Sequence, residues 1–138
     1  MKIGANSPCP CGSQVKYKKC CRIYHLGTRA SSALLLMKSR YSAFATNNYK
    51  YIMQTTHSQN QDFTQDTQKW KLSIESFCQS TEFNKLDILD FETTDTEAYV
   101  TFKATLSQEG ADCSFSEKSR FFKVDNQWLY HSGVFLDE

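Results

Sequence analysis

No stretch of this chain is apolar for more than five residues; the longest, Ala33 to Met37, falls far short of the roughly 20 a membrane-spanning helix needs. A membrane span is therefore not expected. Where a signal peptide would place its apolar segment, Lys2 is followed by a Pro/Cys/Gly stretch, so the chain is expected to be cytoplasmic. The sequence also lacks a nucleophile motif, a phosphate-binding loop and any paired-carboxylate spacing, which favours a binding protein over an enzyme. Nor are its six cysteines spread as in a secreted disulfide framework: four fall within thirteen residues, and Cys78 and Cys113 stand alone. That clustering points to metal in a reducing compartment.

Acid is missing from the first 30 residues, which carry Lys2, Lys16, Lys18, Lys19, Arg22 and Arg29. The other 108 residues hold ten Lys/Arg against fifteen Asp/Glu, a balance of −5. A basic head on an acidic body indicates two parts with different jobs. Four thiolates around one divalent ion add about −2, so a metallated head is nearer +4 than +6. Hydrophobic residues at 40% and aromatics at 14% supply a real core and exclude disorder of the whole. At 138 residues there is room for one ordinary domain with a small module attached.

The module reads Ser7-Pro8-Cys9-Pro10-Cys11-Gly12-Ser13, then Tyr17-Lys18-Lys19-Cys20-Cys21. Zinc takes four thiolates at about 2.3 Å in a tetrahedron, which sets the sulfurs roughly 3.8 Å apart. Pro8, Pro10 and Gly12 favour a tight turn that aims Cys9 and Cys11 at one point, and Cys20 and Cys21 can converge on it from a helical turn. A Cys20–Cys21 disulfide would be strained, because consecutive Cα atoms lie about 3.8 Å apart and disulfides usually need about 4.4 Å or more. One structural zinc on Cys9, Cys11, Cys20 and Cys21 is the expectation; an iron–sulfur cluster or a redox pair is the alternative.

This stretch resembles the SEC-C motif, a small zinc module known from the tail of the SecA translocation motor. The pattern C-x-C-x8-C-[CH] is met by the four cysteines together with Gly12, Ser13 and Tyr17. Gln14 and Arg22 stand where the family usually has glycine. The resemblance implies a basic face that contacts partner proteins and, in SecA, acidic lipid. Lys16, Lys18, Lys19 and Arg22 are the contact candidates here; the alternative is a solvated face that keeps a small module soluble.

In the body, Ser31 or Ser32 can cap a helix in which Leu34, Met37, Tyr41 and Phe44 recur at helical spacing, with a stop at Asn47-Asn48. Tyr49, Ile52 and Met53 predict a second helix ending near His57. Residues 58–65 read as a loop, and Trp70, Ile74, Phe77 and Cys78 share one face of a third helix capped by Asp66. The period then changes to two. Leu86, Ile88 and Phe91 mark one strand, and Val100, Phe102, Ala104 and Leu106 a second. One long strand is expected from Cys113 to Val124, and another from Trp128 to Phe135, with turns at Gln108-Glu109-Gly110 and Asp125-Asn126. Helices followed by an antiparallel meander give an α+β fold with N-terminal helices packed on a curved sheet. Residues 1–25 are read as the zinc module and 28–138 as the α+β domain. The aromatic core of the body is expected to stay folded without the metal.

The phrase Leu36-Met37-Lys38-Ser39-Arg40-Tyr41-Ser42-Ala43-Phe44 is similar to the hallmark of the YchJ family. Further matches are His57, Trp70, Glu117-x-Ser119-Arg120-Phe121 and Trp128-x-Tyr130-x-x-Gly133. The resemblance implies a cone-like body of the nuclear-transport-factor-two and ketosteroid-isomerase type. Some relatives carry a second SEC-C motif, and the residues up to Glu138 hold none, so a bivalent role is not expected. Such cones often hold a pocket. The polar candidates to line it are Arg40, Tyr41, His57, Glu117, Arg120 and His131, with Trp70 beside them. Each also has a structural reading: Arg40 and Glu117 as a buried ion pair, Tyr41 as core, Trp70 as a packing anchor, and His57 as a cation favoured by the helix dipole.

The leading expectation is a zinc-binding adaptor that docks a protein or ribonucleoprotein partner through the SEC-C module. The competing one is a small-molecule-binding protein or enzyme using the cone pocket, with zinc as a staple. Direct nucleic-acid binding through the basic head ranks below both, because only Tyr17 and Tyr24 offer stacking surfaces. A homodimer is compatible with the fold.

Overall fold

Three helices of the body begin where a short polar side chain accepts a backbone N–H that has no partner inside the helix. In the computed structural model, which describes residues 3–136, Ser32 Oγ accepts from Leu35, Asn48 Oδ1 from Tyr51 and Asp66 Oδ1 from Lys69. Ahead of these lie one 3-10 turn, Tyr17–Lys19, and a short helix α1, Cys21–His25. The capped helices are α2 (Ala33–Ala45), α3 (Tyr49–Gln54) and α4 (Thr67–Ser80). Lys2 and Glu138, which entered the reading above, are outside the described residues.

Strands β1 (Glu82–Thr93), β2 (Glu97–Gln108), β3 (Ala111–Asp112), β4 (Phe115–Val124) and β5 (Gln127–Leu136) follow. The sheet is antiparallel in the order β1-β2-β4-β5, with β3 beside β2. Two hairpin turns have both central residues at positive φ, Glu109 and Gly110 at 51° and 80°, Asp125 and Asn126 at 50° and 64°. That is the backbone a two-residue turn needs to match the twist of its strands. Along β2, Ala98, Val100, Phe102, Ala104 and Leu106 are buried, in one core with Leu36, Met37 and Tyr41 of α2 and Trp70 and Ile74 of α4. The other face of the sheet is charged, with Lys85–Asp87, Lys118–Glu92 and Arg120–Glu97 pairs. Helices packed on one side of a curved antiparallel sheet make a cone, as expected.

Three details depart from the periodicity. α3 stops at Gln54 and not near His57, because Thr55 and Thr56 donate their hydroxyls back to Tyr51 O and Ile52 O and the chain then pairs with Tyr130. His57 lies past the helix, so its expected dipole contact does not form. The long strand expected from Cys113 is broken: Ser114 Oγ donates to Asp112 Oδ1 and accepts from Leu106 N, displacing the ladder at 113–114. Finally, β1 is longer than Leu86–Phe91 and carries two bulges, one between Ile88 and Asp90. The extra residue, exposed Leu89, returns Phe91 to the inward face three positions after Ile88.

Candidate functional site

The ligand atoms of Cys9, Cys11, Cys20 and Cys21 all lie within 4.8 Å of one another, and Cys11 Sγ and Cys20 Sγ are 3.6 Å apart. This close to the roughly 3.8 Å edge of a tetrahedral zinc–sulfur site, the cluster could hold a metal ion. Local backbone builds it. Gly12 N donates to Cys9 O and Cys9 N to Val15 O, folding the first two cysteines into a knuckle, while α1 starts at Cys21. Ser13 Oγ lies 3.1 Å from Cys20 Sγ, and Ser42 Oγ lies 3.4 Å from Cys9 Sγ, so two of the sulfurs have hydroxyl neighbours. Hydrogen bonds from Cys11 and Cys21 hold the Cys9 thiol far below its ordinary range, while those to Cys11 and Cys9 push Cys21 far above it. A divalent ion would deprotonate its ligands. All six cysteines are free thiols, and burial pushes buried Cys78 up to about 12, which leaves it unreactive.

The module is seated on the body. Tyr17 Oη donates to Nδ1 of His25 at 2.6 Å, and Nε2 of His25 donates to Ser39 O of α2 at 2.8 Å. The carbonyl partner fixes the proton on Nε2, and burial lowers the His25 pKa, so the ring is neutral. Ser39 and Ser42, both fully buried, mark the side of α2 that faces the module and α3.

The opposite side of α2 faces two adjoining cavities. The inner chamber, about 350 Å³, is walled mainly by aromatic side chains and includes Tyr41, Glu117 and Ser119. The outer one, about 560 Å³, includes Thr56, Asn60, Lys69 and Trp70. Arg40, Phe44, Asp62, Phe77 and Tyr130 line both. Arg40 is therefore the cation at their junction. Its Nη1 donates to Ile52 O, Thr55 Oγ1 and Thr56 Oγ1 at 3.0, 2.8 and 3.1 Å. Its guanidinium carbon lies 4.7 Å from the centre of the Tyr130 ring. Burial lowers its pKa to about 10, which leaves it charged at neutral pH.

The ion pair expected between Arg40 and Glu117 does not form. Tyr130 stands between them, stacked on the guanidinium and donating its hydroxyl to Glu117 Oε2 at 3.0 Å, while Ser119 Oγ donates to the same oxygen at 2.5 Å. The Glu117 carboxylate occupies the space a side chain at Gly133 would need, which is why position 133 has none. Tyr41 Oη is the one buried side-chain polar atom without a hydrogen-bond partner among the described residues, and burial pushes its pKa up to about 12.

Of the sequence candidates, Arg40, Tyr41 and Glu117 are brought together in the inner chamber, and Trp70, in edge contact with Phe63, lines the outer one. His57 and Arg120 line neither. A bulge in β5 turns Tyr130 inward, and His131 packs instead against His57 and Phe122, with ring centres 5.0 and 4.9 Å away. Arg120 is on the charged face of the sheet, bonded through both Nε and Nη2 to Glu97 at 2.7 Å. Tyr130 and Asp62 escaped the pocket reading, since nothing in the alternation of β5 reveals its bulge. Lys16, Lys18, Lys19 and Arg22 are all exposed on the cysteine module.

A family model for the middle NTF2-like domain of YchJ matches residues 32–133, and a SEC-C motif model matches residues 6–22. A UPF0225 protein of Streptomyces coelicolor is 38% identical over 131 residues, spanning 94% of this chain and 97% of that protein. Another, of Bordetella pertussis, is 36% identical and spans 96% and 98%. Among solved structures, a SEC-C motif containing protein from Rhodopseudomonas palustris superposes with a TM-score of 0.80 at 27% identity, covering 94% of this chain and 98% of that one. A second, from Psychrobacter arcticus, gives 0.75 at 26% identity, covering 95% and 82%.

Proposed function

This chain belongs to the YchJ family, and from that premise we propose that it is a small-molecule-binding protein whose working part is the cone chamber, with zinc in the SEC-C module as a structural staple. One observation carries the reading. Arg40 is a buried cation in the wall of a cavity within the roughly 300–1,000 Å³ range of ligand pockets, and no ion pair offsets its burial among the described residues. A buried charge without a direct ion pair is costly, a cost that a ligand can offset.

Zinc is the metal favoured by four thiolates in a closed set, and the SEC-C match supports it. Cys9, Cys11, Cys20 and Cys21 would hold it, leaving no open position for a substrate. Its chemistry is then that of a cross-link, which ties the N-terminal turn to α1 and presents both to α2. A reducing compartment suits such a site.

The test is native mass spectrometry of the zinc-loaded protein after incubation with the small-molecule fraction of a cell extract. A bound species of defined mass, lost when Ala104→Trp fills the chamber in a variant that stays folded, is the expected result. A protein that retains nothing overturns the reading.

A second reading rests on the module's surface. Lys16, Lys18, Lys19 and Arg22 form no ion pair among the described residues, and Val15, Ile23 and Leu26 are exposed beside them. Such a face suits an acidic protein or ribonucleoprotein partner. Affinity capture that loses one defined partner in a Cys20→Ser/Cys21→Ser variant supports docking; an unchanged capture set removes it.

A further inference from the structure

Resting on the chamber as a ligand site, we infer that its ligand is a small monoanionic carboxylic acid with a flat apolar body, the carboxylate seated on Nε and Nη2 of Arg40.

The guanidinium spends one nitrogen on the protein. Nη1 serves Ile52, Thr55 and Thr56, which pins the plane against Tyr130. Nε and Nη2 have no hydrogen-bond partner among the described residues, yet neither is among the fully buried polar atoms left unpaired, so both keep some exposure in a residue that lines the two cavities. These two form the edge whose parallel N–H groups match the two oxygens of a carboxylate. Arg120 of the same protein turns that edge to a carboxylate, with both nitrogens on a single oxygen of Glu97. In Arg40 it is free of protein partners, in a guanidinium that Nη1 holds in place at the junction of the two cavities.

The rest of the chamber narrows the class. Its walls are edge-to-face aromatics: Tyr41–Phe83 at 5.8 Å, Phe77–Phe83 at 6.0 Å, Phe102–Phe115 at 5.9 Å and Phe115–Phe135 at 5.5 Å between ring centres. Such walls take a flat or cyclic body better than a polar one. Tyr41, whose buried hydroxyl lies beside the Lys85 backbone, is a further polar group in the wall of the same space. Charge settles the number of anionic groups. One cation faces two carboxylates, Glu117 and Asp62, which line the same chamber and draw on Arg40 at longer range. Glu117 is already stabilised by the Ser119 and Tyr130 hydroxyls. A second negative charge on the ligand would meet these carboxylates without a further cation, which disfavours phosphate monoesters.

The experiment is isothermal titration calorimetry of the zinc-loaded full chain at pH 7.5 with a matched pair of probes, 2-naphthoate and its neutral amide, 2-naphthamide. The acid is expected to bind at least tenfold more tightly than the amide. Arg40→Lys, which keeps the charge and loses the fork, should bring the acid close to the amide. The comparison on the unaltered protein stands even if that variant misfolds. Equal affinities for the two probes overturn the carboxylate assignment and leave the chamber as a ligand site. Binding of neither overturns both.

Discussion

Cys9 and Ser42, 33 positions apart in sequence, meet with Sγ and Oγ 3.4 Å apart. The contact places the cysteine cluster against one side of α2, two residues from Arg40 and one from Tyr41, whose side chains line the chamber on the other side. Cysteine cluster and cavity thus lie on the two faces of a single helix. Buried nearly all round, α2 has no solvent stripe, and its serines are where it meets the module and α3.

Removing the metal therefore has a local and a relayed effect. Structural zinc of this kind contributes about 10–16 kcal/mol of apparent binding energy near neutral pH. One zinc per chain is expected, and Cys20→Ser/Cys21→Ser or chelation should unfold residues 3–25. Hydrogen exchange should then show faster exchange in α2, with β1, β2, β4 and β5 still protected. Unchanged protection in α2 would mean that the module does not brace it.

Gln14 occupies a left-handed backbone conformation, with φ at 68°, a region that favours glycine. A non-glycine residue pays roughly 1–2 kcal/mol in that region. Gln14→Gly should slow zinc loss to a chelator several-fold, while Gln14→Ala, with the same backbone penalty, should not. Equal rates for all three proteins would place the strain elsewhere.

Gly133 is fixed by contact and not by its dihedral angles. A methyl group there would fall on the Glu117 carboxylate and the Tyr130 hydroxyl. Gly133→Ala should cost about 1–3 kcal/mol in chemical denaturation, the usual range for overpacking. Adding Glu117→Ala should recover part of the loss; a double variant as weak as the sum of the two single ones would show that the clash is not the cause.

His25 ties the module to α2 as a neutral ring, and burial holds its pKa below the ordinary histidine value. In acid the unfolded chain binds a proton there more readily than the folded one. The stability that the ring contributes is present above about pH 6.5 and is lost as the pH falls toward the lowered folded value. Native protein should lose more melting temperature between pH 7.5 and 5.5 than His25→Gln does. Acid release of the metal is common to both, so the difference isolates the histidine. Parallel pH profiles would exclude this role.

Much of this was legible in advance, for physical reasons. Side-chain caps are written in short polar residues, so Asp66 could be read directly and Ser32 as one of two neighbouring serines, and both turns showed in Glu109-Gly110 and Asp125-Asn126. The cysteine spacing carried the convergence of the four thiols. What escaped notice lies between elements. A bulge adds one residue without altering composition, so Leu89 and His131 gave no warning, and the face of Tyr130 could not be assigned. The Arg40–Glu117 pair was the simplest way to neutralise two buried charges; that a tyrosine separates them depends on tertiary packing. Likewise, the module's seat on α2 was hidden in two ordinary serines.

The most direct test of the chamber as the working part is an amide-resolved NMR titration of the zinc-loaded protein with 2-naphthoate. Shifts centred on Arg40, Thr56 and Tyr130 are expected, with residues 16–22 unmoved. Shifts centred on residues 16–22, with the chamber silent, would overturn the chamber's role.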